Sequence, residues 1–257
     1  MNRLSACIIT QNEERNLPRL LASLRGVADE VIVVDSGSTD RTEAIARESG
    51  AAFHFRQWTD YSEQRNFAAS LASHGWILAM DADEELSSVL QTAILDWKKR
   101  VPKFEVYEVA RKTWYLGAWI RHSGWYPDFK ERLYRQGRTE YAGSVHEKLQ
   151  YQGPCGRLSG DLLHYTIHQF REHEANVERY STLAARQMFE QGRRHWRGAL
   201  WLATPWSFFH TFVLRGGFLD GHRGLLIARM AAKTVRLKYA KLGQLLAAER
   251  KPSGQGK

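Results

Sequence analysis

Residues 76–85, WILAMDADEE, constrain this chain more than any other stretch: an unbroken apolar run stops at two carboxylates separated by one small residue. Trp76 to Met80 show no polar/apolar alternation, which predicts a strand buried on both faces, as in a parallel sheet covered by helices. Open parallel sheets take their ligands beyond the carboxyl ends of the strands, where Asp81 and Asp83 fall. Residues i and i+2 of an extended backbone point the same way, so these two carboxylates repel each other. A hard divalent cation bound to phosphate oxygens would remove that repulsion; a solvated acidic turn is the plain alternative for an isolated D-x-D.

The flanking sequence supplies the rest of such a sheet. Residues 4–10 (LSACIIT) and 30–35 (EVIVVD) read as two more buried strands, with a helix over 17–24 between them. A turn and a helix that Ser38 or Asp40 would cap and Gly50 would stop lead to a short strand at 51–55, and a helix follows at 61–73. Strands alternating with short helices imply a parallel α/β sheet with right-handed crossovers. Asp35 and Asp81 then present acid at one sheet edge, a nucleotide-site layout. The first turn lacks G-x-G-x-x-G and there is no G-K-[ST], which argues against nicotinamide enzymes and P-loop NTPases.

After a helix around 88–100 the pattern changes to antiparallel strands rich in aromatics: 104–120, 124–135 (GWYPDFKERLYR), 141–149 (YAGSVHEKL) and 162–165 (LLHY). Trp125 and Tyr126 are suited to stacking on sugar rings, and Asp128, Glu147, His146 and His164 to proton or metal chemistry beside them, although some of these rings belong to the core. This gives a sheet domain over 1–170, with a donor half at about 1–100 and an acceptor half at 101–170, and a helical extension over 171–257.

Charge separates the extension from the body. From residue 191 onward there are 13 Lys or Arg against Asp220 and Glu249, a net of +11, whereas residues 1–190 carry 24 against 26 acids, a net of −2. A basic tail on a near-neutral body implies an anionic partner. Residues 201–214 (WLATPWSFFHTFVL) are strongly apolar but shorter than the ~20 residues that span a bilayer. Leu225, Ala228, Ala232, Val235, Tyr239, Leu242 and Leu246 then form one helical stripe flanked by Arg229, Lys233, Arg236, Lys238 and Lys241, the pattern of an interfacial membrane helix. Packing of that helix on its own domain or a second subunit is the competing reading. No nucleic-acid motif accompanies the charge, so nucleic acid is not expected. Two cysteines, Cys7 and Cys155, make no disulfide framework and suit a reducing cytosol, and the N-terminus lacks the h-region of a signal peptide.

IITQNEE (8–14), VVDSGSTDRT (33–42), Arg65–Asn66 and ILAMDAD (77–83), in this order, resemble the family-two inverting glycosyltransferases of the GT-A fold. The later WYPD, RLYR, VHEKL and LHY segments resemble a narrower branch, bacterial β-1,4-glucosyltransferases of lipopolysaccharide core assembly. The resemblance implies a Rossmann-like, mostly parallel sheet with an antiparallel acceptor side. It also implies a nucleotide-diphosphate sugar donor, usually UDP-linked, and a divalent Mn or Mg ion. Thr10, Asn12 and Glu13 would line the nucleoside pocket, Asp35 would accept from the base, and Arg65 would meet the pyrophosphate. Asp83 would ligate the metal, with Asp81 at the ribose or the metal's water shell and His146 or His164 as further contacts. Gln11 stands where many relatives carry an aromatic residue.

Inversion needs a base on the face opposite the leaving nucleotide, and Glu147 is the first candidate, with Asp128 as second base or acceptor-orienting group. The acceptor would be a glycolipid or saccharide, and the enzyme would sit on the cytoplasmic face of the inner membrane. The rivals are transfer to polyprenyl phosphate or peptide, a sugar nucleotidyltransferase, and an inactive membrane-docked scaffold.

Overall fold

In a computed structural model, which describes residues 1–143 and 147–249, the chain forms two compact units. The first comprises Met1–Lys112 and Pro127–Tyr165. It begins with β1 (Leu4–Thr10), α1 (Leu17–Leu24), β2 (Glu30–Asp35), α2 (Thr42–Glu48), β3 (Ala52–Phe55), α3 (Tyr61–Ser70) and β4 (Trp76–Asp81). These four strands pair in parallel in the order β3-β2-β1-β4. Every residue of β1 is buried, the environment that its lack of polar alternation demanded. The helix expected over 61–73 ends at Ser70, and its N-cap is Asp60, which accepts from Glu63 N at 2.9 Å.

β5 (Glu84–Leu86) and α4 (Ser88–Lys98) follow, then β6 (Val106–Tyr115), β7 (Ala118–Trp119), β8 (Asp128–Arg135), β9 (Glu140–Ala142), β10 (Lys148–Gln150) and β11 (Cys155–Ile167). Among the described residues the main sheet has nine strands, running β3-β2-β1-β4-β8-β6-β11-β5 with β7 on β6. β8 is antiparallel to β4 and β6, and β11 is antiparallel to β5, so a parallel half continues into an antiparallel half. The expected fold class is therefore the observed one. Glu84–Leu86, for which the sequence carries no strand signal, is a strand of its own.

Gly160 of β11 has φ +96°, and a Cβ there would lie 2.4 Å from Leu90 N and 2.7 Å from Leu90 Cα. Ser87 ties the same strand to α4, its Oγ accepting from both Asp161 N and Leu90 N. Gly160→Ala combines left-handed backbone with a clash against main chain, and should cost about 2–3 kcal/mol in a denaturant melt. A midpoint within error of the parent protein would contradict that close approach.

The second unit comprises Thr113–Tyr126 and the chain from Thr166 onward. The 113–126 hairpin belongs to this unit with the C-terminal helices. The physical tie is Asp220, which accepts from Arg121 N, His122 N and Ser123 Oγ at 3.0–3.1 Å. Tyr115, Ile120, Ile167 and Ile227 share one buried cluster there, with Trp125 packed against it.

The helices of this unit are α5 (Phe170–Glu190), α6 (Arg197–Phe209) and α7 (Gly221–Glu249), with a π-helical turn (His210–Leu214) and a 3-10 turn (Gly217–Asp220) between the last two. α7 packs along α5 and α6. Its Leu242 and Leu246 are buried with Ala185 of α5, Lys233 pairs with Glu174, and Lys241 donates to Glu178, Ser181 and Thr182. The expectation that the α7 stripe faces a membrane is therefore corrected: α5 and α6 cover it, and two of its flanking lysines are spent on α5. No described helix is long and apolar enough to cross a membrane. Both cysteines are free thiols, and burial pushes that of Cys7 up to about 12, which leaves it unreactive.

Candidate active site

The ends of β1, β2 and β4 lie side by side, with Thr10 opposite Asp35 and Ile9 opposite Asp81. This register delivers the first carboxylates. Asp35 is buried, and its side chain accepts from Gly37 N, Ser38 N and Ser38 Oγ at 2.5–2.8 Å, so it shapes the turn leaving β2. That turn is clasped by the loop after β1. Asn12, at φ +56°, accepts from Thr39 N and donates its own N–H to Ser38 Oγ. The N-cap of α2 is Arg41, without a side-chain cap bond, so neither Ser38 nor Asp40 caps the helix; Asp40, one residue earlier, accepts from Thr42 N and Oγ1. Thr10 Oγ1 is buried without a hydrogen-bond partner at the same edge.

Asp81 receives Arg65 Nη2 at 2.5 Å and Arg132 Nη2 at 2.7 Å. Arg132 Nη2 also reaches Glu84 Oε1 at 2.5 Å, and Glu84 Oε2 accepts from Asp81 N at 2.9 Å. Burial drives the Asp81 carboxyl upward, but Arg132 and then Arg65 overcome it and hold it well below the usual carboxylate range. Glu84 is fully buried and burial wins, so its pKa lies above the ordinary value despite Arg132. Arg65 keeps Nε and Nη1 buried without protein partners, donor capacity that the fold leaves over for an anion.

Asp83 stands in a different setting. β11 runs antiparallel to β5 with His164 opposite Glu84, Tyr165 N donates to Asp83 O at 2.9 Å, and His164 Nε2 lies 3.1 Å from Asp83 Oδ2. Burial lowers the His164 pKa, but the bond and charge of Asp83 outweigh it and the net shift is upward. Glu13 is pushed up chiefly by burial, against a hydrogen bond from Asn16, and then by the charges of Asp83, Asp40 and Asp81. Two carboxylates two residues apart are thus electrically distinct: Asp81 is saturated by guanidinium groups, and Asp83 is paired with one imidazole.

Other expected residues are placed as follows. Glu147 Oε1 lies 4.0 Å from Arg65 Nη2, beside the Asp81 cluster. Asp128 is occupied by Arg111 at 2.8 Å and Lys130 at 3.0 Å. Trp125 sits in the second unit, its ring 5.4 Å from Tyr115 and 5.8 Å from His173, and so serves packing there; Tyr126 is half-buried in the same unit. His146 lies outside the described residues, as does the tail from residue 250. Among the described residues no group of three or more His, Cys, Asp or Glu converges to hold a metal.

The model of glycosyl transferase family 2 matches residues 5–153. This chain belongs to that family. The match takes in Asp35, Arg65, Asp81, Asp83, Glu84, Arg132 and Glu147, and stops short of His164. Similar proteins extend further. The lipopolysaccharide core biosynthesis glycosyltransferase LpsC of Rhizobium meliloti is 31% identical over 97% of this chain and 95% of its own. An uncharacterized glycosyltransferase of Rickettsia felis is 30% identical over 96% and 91%. Among solved structures, glucosyl-3-phosphoglycerate synthase from Mycobacterium tuberculosis, in complex with Mn2+, UDP and glucosyl-3-phosphoglycerate, is 21% identical over 44% of each chain, with a TM-score of 0.37.

Sequence reasoning does not single out two members of the Asp81 cluster, Glu84 and Arg132. Glu84 lies within DADEE and Arg132 within GWYPDFKERLYR, with nothing local to mark either one. One signal was available: a segment DADEE beside a buried strand needs more positive charge than Arg65 alone supplies.

Proposed function

We propose that this glycosyltransferase moves a hexose, glucose first among the candidates, from a UDP-linked donor to a saccharide of a lipopolysaccharide core, with inversion at the transferred carbon. The observation that carries the reading is the split between Asp81 and Asp83. Asp81 fixes Arg65 with two donor nitrogens, Nε and Nη1, unspent, a partner for a diphosphate. Asp83 offers a carboxylate oxygen, the hard ligand that Mn or Mg takes, and His164 Nε2, 3.1 Å from it, adds a nitrogen better suited to Mn than to Mg, with phosphate oxygens completing the shell. Those two residues would hold the ion, which when bound supplies positive charge against the leaving diphosphate. Thr10, Asn12, Glu13 and Asp35 line the adjoining strand ends and supply polar groups for the nucleoside. Glu147 takes the proton from the acceptor hydroxyl. It is favoured over Asp128, whose oxygens Arg111 and Lys130 already engage. The likeness to LpsC supports a lipopolysaccharide acceptor, and the basic C-terminal segment supports a place at the cytoplasmic face of a membrane that carries it.

A panel of nucleotide sugars with and without Mn, scored by the nucleotide released, tests the donor. Nucleoside diphosphate released from a UDP-hexose only with metal is the expected result. Pyrophosphate released from a nucleoside triphosphate would instead identify a nucleotidyltransferase. In the same assay Asp83→Ala should lose the metal-dependent part of donor affinity, about 10- to 100-fold, and unchanged affinity with metal present would refute the ligand assignment.

A further inference from the structure

Eight of the sixteen exposed large apolar side chains among the described residues fall between positions 201 and 219. Trp201 is 79% exposed, Leu202 75%, Trp206 58%, Leu214 56% and Leu219 61%. The positions Trp201, Leu202, Trp206, Phe209, Val213 and Leu214 recur at steps of one, three and four residues. They therefore line one face of the continuous turn of α6 and the π-helical segment that follows it. The opposite side is the one packed on α7. No residue of α6 is fully buried; Leu200 and Phe208 are half-buried, while Trp201, Leu202, Trp206 and Phe209 are exposed. A soluble monomer rarely exposes so contiguous an apolar ridge without a use for it.

The charge around the ridge selects what covers it. The chain from residue 191 carries a net +11, and both of its acids are engaged within the unit: Glu249 accepts from Arg194, and Asp220 holds the 121–123 backbone and Ser123. Arg193 and Arg197 at the start of the ridge and Arg215 at its end are exposed. A second copy of this chain would bring like charges together over the ridge. An anionic lipid surface accepts both features, since indole rings settle at headgroup depth and arginines meet lipid phosphates.

We propose that residues 201–219 are a membrane-docking ridge that lies in the interface of an anionic bilayer, with Trp201, Leu202 and Trp206 entering the acyl boundary and the surrounding arginines bound to headgroups. The surface that docks is thus α6 and the turns after it, not the stripe of α7. The proposal deepens the membrane placement given above, but its test needs neither donor nor acceptor.

Full-length protein is sedimented with vesicles of phosphatidylcholine alone or with about one third phosphatidylglycerol, at low and high salt, with lipids brominated at defined depth as quenchers of Trp fluorescence. Binding to the anionic vesicles only, weakened by salt and accompanied by quenching from shallow bromines, is expected. Leu202→Asp/Trp206→Asp, on an exposed face, should keep the melting curve and donor binding of the parent and lose at least tenfold in vesicle affinity. Arg197→Gln alone should lose about fivefold. Absence of binding to anionic vesicles, or equal binding by the Asp double variant, overturns the proposal. So does a concentration-dependent dimer in analytical ultracentrifugation that the Asp variant abolishes, because the ridge would then be a subunit interface. If vesicles bind and no nucleotide sugar is turned over, the transfer reading fails and the docking ridge stands.

Discussion

Arg132→Met should lower the unfolding free energy by about 3–5 kcal/mol, because it leaves a buried carboxylate without its cation. The figure rests on Glu84, which is fully buried and ion-paired with Arg132; Asp81, partly exposed, would retain Arg65. The deficit should depend on pH. Glu84 already has a raised pKa, so its ionisation opposes folding, and without Arg132 that opposition grows as pH rises above the unfolded value near 4.3. Asp81 has a depressed pKa in the parent protein. Its stabilising contribution is present above the unfolded value of about 3.9 and is lost as pH falls toward the folded one. Acidification protonates Glu84 and so returns stability to the variant, and the gap between them narrows from pH 7 toward pH 4, with Asp81 adding to the narrowing only below about 3.9. Urea melts at both values check this, and Glu84→Gln in the Arg132→Met background should recover part of the loss. A gap of equal size at both pH values would mean that the arginine acts through packing and not through these charges.

Glu147→Gln should lower turnover about a hundred- to ten-thousand-fold while leaving donor affinity within about threefold, the range for removal of a positioned general base. Gln keeps the size of the side chain and its contact distance to Arg65, so a change in donor affinity as large as the change in turnover would mark Glu147 as a binding group. Asp128→Asn serves as the comparison. Its carboxylate is held by Arg111 and Lys130 on the strand pair β6–β8, so its loss should cost stability and some turnover but leave the pH dependence of kcat intact. Near-normal turnover by Glu147→Gln would remove it as the base.

The parallel half of the protein could be read from local sequence, and the reasons are visible in single elements. β1 and β2 occupy the residues expected of them because a strand buried on both faces has to be an unbroken apolar run, and such a run is visible without any partner. Asp35, Asp81 and Asp83 announced themselves as acids at the ends of those runs. Arg65 was legible through its motif, although its bond to Asp81 across sixteen positions was not.

Pairing between distant strands decided the rest. Arg132 is 51 positions from Asp81 and 48 from Glu84, and it arrives because β8 lies antiparallel to β4. His164 reaches Asp83 because β11 returns along β5. Local patterning fixes which residues share a face, but a buried charge is tolerated only where a partner from elsewhere in the chain meets it, and no local window contains both. The α7 stripe carries the same lesson for surfaces: periodicity shows that a helix has an apolar face, while only packing shows that α5 and α6 cover it and that α6 turns its own tryptophans outward. Sequence alone therefore determined the family, the parallel strands and the acids at their ends. Tertiary structure decided which acid is neutralised by arginine, which is left to an imidazole, and which apolar face stays open, because each of those is settled by what a side chain meets and not by where it stands in the chain.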